Sequence, residues 1–195
     1  GIFTHSRVGA PGTPDAQRVP LNAGIWRLHP RTRAFEVFAW GTSNPWGLDF
    51  DARGQAFATA CVVPHLWHVI QGARFERQAG QHFGRFTFED LDTIADHLHW
   101  QGVDPWQANG RSGTVGGGHA HCGALLVQGT MLTESLRGAL LMGNVHGNRV
   151  NADRLERAGS GYVGRHAADL LAANDAWFRA VGLRAGPGGA VYLID

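Results

Sequence analysis

Residues 24–61 read GIWRLHPRTRAFEVFAWGTSNPWGLDFDARGQAFATAC, and this stretch decides the fold. Four short runs in it, GIWRLH, AFEVFA, WGLDFD and AFATAC, carry apolar residues with the two-residue period of a β-strand. The polar turns PRTR, GTSNP and ARGQ separate these runs. Four strands joined by tight turns are typical of an antiparallel meander, so we predict an all-β chain.

The end of the chain repeats part of this pattern. Gly47 and Gly182 are each followed by leucine and each precede a second glycine by seven positions. The two glycines are 135 residues apart, which equals three units of 45. Propeller blades of four strands have about this length. We therefore predict a partial β-propeller, with about four blades of four-stranded antiparallel sheets, as a fragment of a larger propeller.

Composition divides this single domain of residues 1–195 into five parts. Residues 1–23 contain three prolines and are expected to form an extended loop, and residues 24–61 form the blade described above. Residues 62–115 are expected to be an irregular blade with a long insertion. Residues 116–166 contain two apolar runs and an alternating run, which predicts another blade, and residues 167–195 start a further one.

The irregular part is rich in histidine, glutamine and aromatic residues. Its DLDTIADHL portion, residues 90–98, predicts a short helix capped by Asp90 or Asp92. His65, His68, His97 and His99 also lie in this part, and we expect them to be solvated or hydrogen-bonded loop histidines.

Charge and cysteine content narrow the function classes. The net charge of +1 favours neither nucleic acid nor an anionic membrane surface as a partner, and no apolar run is long enough for a membrane segment. All 17 basic residues are arginine, which excludes lysine-based Schiff-base chemistry. Cys61 and Cys122 form no CxxC motif, and a disulfide between them stays open. The sequence begins without Met and ends inside an apolar run, so we expect a piece of a longer protein.

Longer motifs resemble one known family. They are GAPGTPD (9–15), NAGIWRLHP (22–30), GTSNPWGLDFDARGQAF (41–57), IQGARFERQAGQHF (70–83), IADHLHW (94–100), GGGHAHCGALLVQG (116–129), GNVHGNRVNADRLERAGSGYVGRH (143–166) and ANDAWFRAVGLRAGPGGAVYLID (173–195). Together these motifs resemble the membrane-bound dehydrogenases of large secreted bacterial proteins, grouped with the PVC-type haem-binding proteins. That family is similar to the soluble quinoprotein glucose/sorbosone dehydrogenases, which are six-bladed propellers.

The resemblance implies a dehydrogenase-like propeller in the periplasm or secreted from the cell. It implies oxidation of a sugar or polyol hydroxyl by a quinone-type cofactor, pyrroloquinoline quinone with calcium. Electrons would pass to an acceptor such as a c-type haem domain of the parent protein, whose CxxCH motif does not occur in this sequence. Whether the chain is an enzyme stays open.

The segment GGGHAHCGALLVQG carries the first candidate site. His119 and His121 would share one face of a strand, but two histidines are half of a tetrahedral metal site, so no metal ligand is assigned. His121-Cys-Gly123-Ala124 resembles the HxGG pattern in which the sugar dehydrogenases carry their base. The resemblance implies His121 as the catalytic base and His119 as a supporting cofactor-binding residue. The alternative is a polar loop whose histidines bond neighbouring turns.

Two further segments are candidates for cofactor binding. The sugar dehydrogenases hold the quinone with an Arg-Asn pair, and here Ser43 replaces the arginine while Asn44 remains. Asn44 is equally suited to cap a turn. The segment containing Asn144, His146 and Arg149 would line the central channel, or it would form a hairpin turn.

Two other functions remain open. A non-catalytic propeller would bind a carbohydrate or a protein in the same channel, with Trp46, Trp100 or Trp106 stacking on a sugar. The number of histidines, 11, also leaves a His-based metal-dependent hydrolase or lyase as a second alternative.

Overall fold

The computed structural model describes residues 6–61, 64–77, 82–83, 89–99, 120–129, 132–175 and 177–195. Their regular secondary structure is almost entirely β-strand, with short 3-10 turns at Asp15–Gln17, Glu134–Leu136 and Pro187–Gly189. In the part of the chain so described, no helix has the length and apolar character needed to cross a bilayer.

Fourteen strands occur in these described residues. They are β1 (Arg7–Val8), β2 (Val19–Pro20), β3 (Gly24–Leu28), β4 (Phe35–Trp40), β5 (Pro45–Phe50), β6 (Ala56–Ala60), β7 (Leu66–Val69), β8 (His121–Leu126), β9 (Ala139–Asn144), β10 (Arg149–Ala158), β11 (Gly161–His166), β12 (Leu171–Ala172), β13 (Gly182–Ala185) and β14 (Val191–Ile194).

Consecutive strands pair antiparallel and form separate small sheets. The described sheets are β1–β2, β3–β4, β5–β6–β7, β8–β9–β10–β11 with β12 also on β10, and β13–β14. Each sheet is therefore a meander or part of one, and the chain completes one sheet before it starts the next.

In three successive sheets the first strands are adjacent, and β8 lies against β5 on one side and against β13 on the other. Glycine permits this contact. A Cβ atom on Gly47 would lie 2.3 Å from the carbonyl carbon of Gly123, and one on Gly123 would lie 3.1 Å from the Cα of Gly182. Sheets that meet at their first strands and spread outward are the blades of a propeller around its axis. The all-β partial propeller predicted above is confirmed.

The core lies between the sheets, in layers made by strand alternation. On β8, Ala124 and Leu126 pack toward the β5–β6–β7 sheet, where they meet Phe57. Leu125 packs toward β13 in the next layer, where Leu183 is buried. A third layer around Trp67 fills the space next to β4. Sheets buried on both faces explain the continuous apolar runs of β8 and β9.

Residues 24–61 do not form one blade. The structure divides them after Trp40, since β4 pairs with β3 and β5 pairs with β6. Gly41, Thr42 and Asn44 all have positive φ angles, at 86°, 69° and 51°. The chain changes direction there, and Pro45 begins the first strand of the next sheet. The local alternation predicted the strands but not their partners.

The interpretation of the 135-residue interval as three blades of 45 residues is also wrong. Gly47 and Gly182 do hold equivalent positions on the axial strands β5 and β13. These strands are two sheets apart, with β8 between them, rather than three. The long connection between β7 and β8 accounts for the additional length.

The helix predicted for residues 90–98 is wrong, because the described residues 89–99 contain only isolated bridges. The Ile94 amide donates to the Leu66 carbonyl at 3.1 Å, and the Gly164 amide donates to the Ile94 carbonyl at 2.7 Å. Backbone groups that would have bonded within a helix therefore bond to β7 and β11. The segment lies between two sheets, and its histidines point into the gap between them.

Candidate functional site

A cluster of imidazole rings surrounds one buried carboxylate between the β5–β6–β7 and β8–β11 sheets. The carboxylate belongs to Asp153, and the rings are those of His65, His97, His99, His121 and His166, a set we call the histidine cluster. His65 lies just before β7, and His97 and His99 belong to residues 89–99, which we call the bridging segment. The other three residues belong to the β8–β11 sheet.

Strand alternation brings this polar set to one face. On β9, Leu140 and Met142 face the neighbouring sheet, so Asn144, two residues farther along, lies on that side too. On β10, Val150 and Ala152 face the opposite layer, which turns Asp153 toward the histidines. The polar side chains therefore lie at one end of the apolar layer that contains Leu140 and Met142.

Distances in the cluster are short. The Oδ2 atom of Asp153 lies 2.7 Å from His65 Nε2, and its Oδ1 atom lies 3.0 Å from His99 Nε2 and 3.2 Å from His97 Nε2. The Nε2 atoms of His97 and His99 lie 2.8 Å apart. One potential ligand atom from each of these four residues lies within 4.8 Å of all the others, as in a metal-binding set.

Water reaches the cluster from one side. The side chains of His65, His99 and Asp153 are 0% exposed, as is His121. His97 is 16% exposed and, at the edge, the His166 side chain is 29% exposed. A small ion can thus approach past the partly open rings, while the centre is shielded.

Burial sets the protonation of these groups. Desolvation lowers the pKa of His99 to about 3, so this ring is neutral. Burial alone would raise the pKa of Asp153, but the charge and hydrogen bonds of the surrounding histidines hold it well below its usual value. Burial opposes the charged form of His97 as well, yet its bonds to Asp153 raise its pKa. A carboxylate among imidazoles of this kind is a strong donor set for a cation.

Asn144 connects His121 to Asn151 and to the turn between β9 and β10. Its Oδ1 atom accepts the Gly147 amide at 2.9 Å, and its Nδ2 atom donates to Asn151 Oδ1 at 2.8 Å. The same Nδ2 atom lies 3.4 Å from His121 Nε2, which lies 2.8 Å from His99 Nδ1. These bonds fix both the amide orientation and the imidazole position.

The structure brings together some of the predicted site residues. His121 and Asn144 are neighbours. Arg149 is connected to them through two further side chains: it contacts Asp169 at 3.0 Å, and Asp169 accepts a hydrogen bond at 2.8 Å from Asn151, the partner of Asn144. His119 lies outside the described residues.

Two other predicted residues have different surroundings. Asn44 is linked to the cluster through the backbone, because its carbonyl accepts the amide of Cys61 at 3.0 Å and Cys61 Sγ lies 3.3 Å from the His121 carbonyl oxygen. His146 lies in the β9–β10 turn, where burial and then the charge of Arg179 lower its pKa.

The sequence predicts His65, His97 and His99 as loop residues but does not predict that they converge on Asp153. His97 and His99 alternate in DHLHW as they would on an extended segment, and that spacing was the available signal. The sequence signal for Asp153 is weaker: it is a carboxylate within the alternating apolar and polar residues of NRVNADRLER. No metal ligand was assigned from sequence, whereas the fold assembles four potential ligands.

A separate groove runs along the propeller axis. It has a volume of about 330 Å³, and glycines form its floor where β5, β8 and β13 meet. Its walls include the exposed aromatic rings of Trp46 and Tyr192, together with Leu48 and Arg184. This axial groove offers flat apolar faces beside one guanidinium group.

Structural comparison agrees with the fold. The chain is similar to an oxidoreductase named as a glucose dehydrogenase from Thermus thermophilus, with a TM-score of 0.52, 18% identity, and coverage of 81% of this chain and 40% of that one. It is also similar to the PQQ-bound aldose sugar dehydrogenase of Streptomyces coelicolor, with a TM-score of 0.45, 16% identity, and coverage of 75% and 35%.

The chain thus spans about 40% of the length of the first of these solved structures, and the likeness concerns the fold. No curated protein matches the sequence significantly. Residues 4–195 match the family model described as a domain of unknown function, DUF7133, and the chain belongs to that family.

Proposed function

We propose that the chain is part of a dehydrogenase-like propeller that oxidises a hydroxyl group of a sugar or polyol in the axial groove. The groove itself is the observation that carries this proposal. It lies where three axial strands meet, and its aromatic walls and glycine floor suit a flat polar ligand.

Trp46 and Tyr192 account for the preference for a carbohydrate. Both rings are exposed and line the same groove. The C–H face of a sugar packs on an aromatic ring, while its hydroxyl groups remain free for hydrogen bonds at the rim. Arg184 supplies donors there, and the bare backbone at Gly123 allows close approach.

The same groove fits a quinone-type cofactor in its chemical character. Pyrroloquinoline quinone is planar and carries carboxylates, so it would stack on one aromatic wall and pair with Arg184, while the sugar packs on the other wall. When bound, the quinone supplies the acceptor for the hydride of the alcohol. No described residue lining the groove is a carboxylate, so the calcium of the proposal would take its ligands from other residues.

The remaining parts of the proposal rest on the family resemblance described from the sequence. They are transfer of electrons to an acceptor such as a c-type haem domain, and a location in the periplasm or outside the cell. The role of His121 as proton acceptor stays a prediction. His121 is fully buried, and its Nε2 atom already contacts His99, so only Nδ1 would be able to take the proton.

A dye-linked assay of the full-length protein, supplied with pyrroloquinoline quinone and calcium, tests the proposal with a panel of sugars and polyols. We expect oxidation by the wild type. Trp46→Ala should weaken the apparent affinity for substrate by about fivefold, because it removes an aromatic face worth about 1 kcal/mol. Trp177→Ala is the matched control, since this tryptophan is 88% exposed and lies outside the groove.

The competing function, a non-catalytic binding module, has a distinct outcome. It would give sugar binding by calorimetry that Trp46→Ala weakens, but no oxidation with any acceptor dye. Absence of both binding and oxidation would exclude the axial groove as a carbohydrate site.

A further inference from the structure

Three atoms of the histidine cluster form a tight triangle. They are the Nε2 atoms of His97 and His99 and the Oδ1 atom of Asp153, with sides of 2.8, 3.0 and 3.2 Å. All three sides have the length of a hydrogen bond.

Protons alone cannot make all three contacts favourable. If both nitrogens carry a proton and donate to Asp153, two N–H groups face each other at 2.8 Å. If only one carries a proton, the lone pair of the other nitrogen faces the carboxylate. In a shielded site an unfavourable polar contact of this kind is costly. A cation between the three atoms makes each of them a ligand and removes the conflict.

From this triangle we infer that His65, His97, His99 and Asp153 bind one divalent first-row transition-metal ion. His65 completes the set from the other side of the carboxylate, with Nε2 at 2.7 Å from Oδ2. Metal–nitrogen and metal–oxygen bonds of about 2.0–2.2 Å in a tetrahedral site place ligand atoms about 3.3–3.6 Å apart. The four short distances in the cluster, from 2.7 to 3.2 Å, are smaller than this, so the side chains would move apart by up to about 0.9 Å to admit the ion.

The groups behind His99 agree with this assignment. The Asn144 amide points its Nδ2 donor at His121 Nε2, and the acceptor sides of Asn144 and Asn151 are already used. His121 Nε2 is therefore an acceptor, and the facing Nδ1 of His99 carries the proton. That leaves the Nε2 lone pair of His99 directed at the centre, as a ligand requires.

This arrangement has a consequence for His121. With its Nε2 atom accepting the bond from His99, a neutral His121 holds its proton on Nδ1. In the metal-bound protein His121 is thus a positioning residue for His99, and its predicted role as proton acceptor would apply to the metal-free protein. The axial groove does not depend on this assignment, since none of the four ligands lines it.

The ligand set indicates the class of metal and its role. Three imidazoles and one carboxylate favour Zn²⁺ or a neighbouring transition ion over Mg²⁺ or Ca²⁺. Four protein ligands in a shielded site are typical of a structural centre, rather than of a hydrolase or lyase that keeps a position for water. The ion would connect the bridging segment to β7 through His65 and to β10 through Asp153. The bridging segment makes few backbone hydrogen bonds with either strand.

Metal analysis of the purified protein tests the inference directly. We expect about one transition-metal ion per chain, release of the ion by a chelator with a lower melting temperature, and recovery on adding Zn²⁺. Co²⁺ added to the stripped protein should give the visible bands of a nitrogen- and oxygen-ligated ion. A stripped protein that binds neither Zn²⁺ nor Co²⁺ stoichiometrically would overturn the proposal.

Variants identify the ligands. His99→Ala and Asp153→Asn should leave the protein with substoichiometric metal, and His121→Ala should weaken Zn²⁺ binding by about 10–100-fold. His29→Gln is the matched control, because His29 lies in the exposed β3–β4 turn, and it should keep full metal content. Full metal content in both ligand variants would place the ion elsewhere. These readouts need no substrate, so they are independent of the proposed sugar oxidation.

Discussion

Gly47 on β5 and Gly123 on β8 approach so closely that a Cβ atom on Gly47 would lie 2.3 Å from the carbonyl carbon of Gly123. The same Cβ atom would lie 2.4 Å from Thr59 Oγ1, which donates a hydrogen bond to the Gly123 carbonyl at 2.8 Å. Backbone and a bonded hydroxyl therefore occupy the space that any side chain at position 47 would need. The packing of two propeller sheets depends on this contact.

Gly47→Ala should lower the free energy of unfolding by about 1–3 kcal/mol, because neither the Gly123 backbone nor Thr59 can move without separating β5 from β8. Urea denaturation followed by tryptophan fluorescence measures this change. Gly161→Ala is the control, since its Cβ would meet only the Ala158 carbonyl oxygen, at 3.8 Å, and its stability should change by less than about 0.5 kcal/mol. Equal losses for the two variants would contradict the close packing at Gly47.

Local sequence patterns predicted the strands of the described region well. The alternation in residues 24–61 and the apolar runs near residue 121 became β3 to β6 and β8. The match between Gly47 and Gly182 also identified two axial strands correctly. These features depend on neighbours within a few residues, where side-chain period and turn residues dominate.

Pairing and long-range contacts were not predictable in the same way. The break after Trp40 depends on positive φ angles in a segment that also reads as a hairpin turn. The histidine cluster joins His65, His97 and Asp153 from three separate parts of the chain. Only the stacking of sheets brings them together, and single-sequence periodicity contains no information on that stacking.

Asn144→Ala should destabilise the protein by about 1–3 kcal/mol, because it removes the partners of the buried Asn151 amide oxygen and of the Gly147 amide. Urea denaturation of the metal-free protein gives this value without a contribution from ion binding. Asn174→Ala serves as a control at an exposed position and should change stability by less than about 0.5 kcal/mol. A similar small effect for Asn144→Ala would show that water replaces its bonds.

Cys61 and Cys122 should form a disulfide under mild oxidation, because their Sγ atoms lie 2.9 Å apart as free thiols. Oxidised glutathione would accept the two electrons and two protons and be reduced to two thiols, and mass spectrometry would show the loss of two hydrogens. The new loop spans the bridging segment, so closing it should stabilise the fold by about 4 kcal/mol. Cys61→Ser should show neither effect, and a wild type that stays reduced would contradict the prediction.

His68 should make stability depend on pH on the acidic side of neutrality. Burial lowers its pKa from the ordinary 6.5, while its ring stacks on Phe57 at 5.3 Å and bonds Gln55 at 2.9 Å. The unfolded chain therefore binds more protons than the folded one below about pH 6.5, and stability falls as the pH decreases toward the lowered pKa. The contribution is fully present above about pH 7.

His68→Gln removes this titration but keeps a polar group near Gln55. Urea midpoints of wild type and variant at about pH 7.5 and about pH 5 separate the two effects. The variant should be less stable at the higher pH, because it loses the stacking on Phe57, yet it should lose less stability than the wild type on acidification. The half-buried His82 and His146 share the sign of the pKa shift, so the difference between the two proteins is the informative quantity. Parallel decreases in the two midpoints would show that His68 is protonated equally in the folded and unfolded chains.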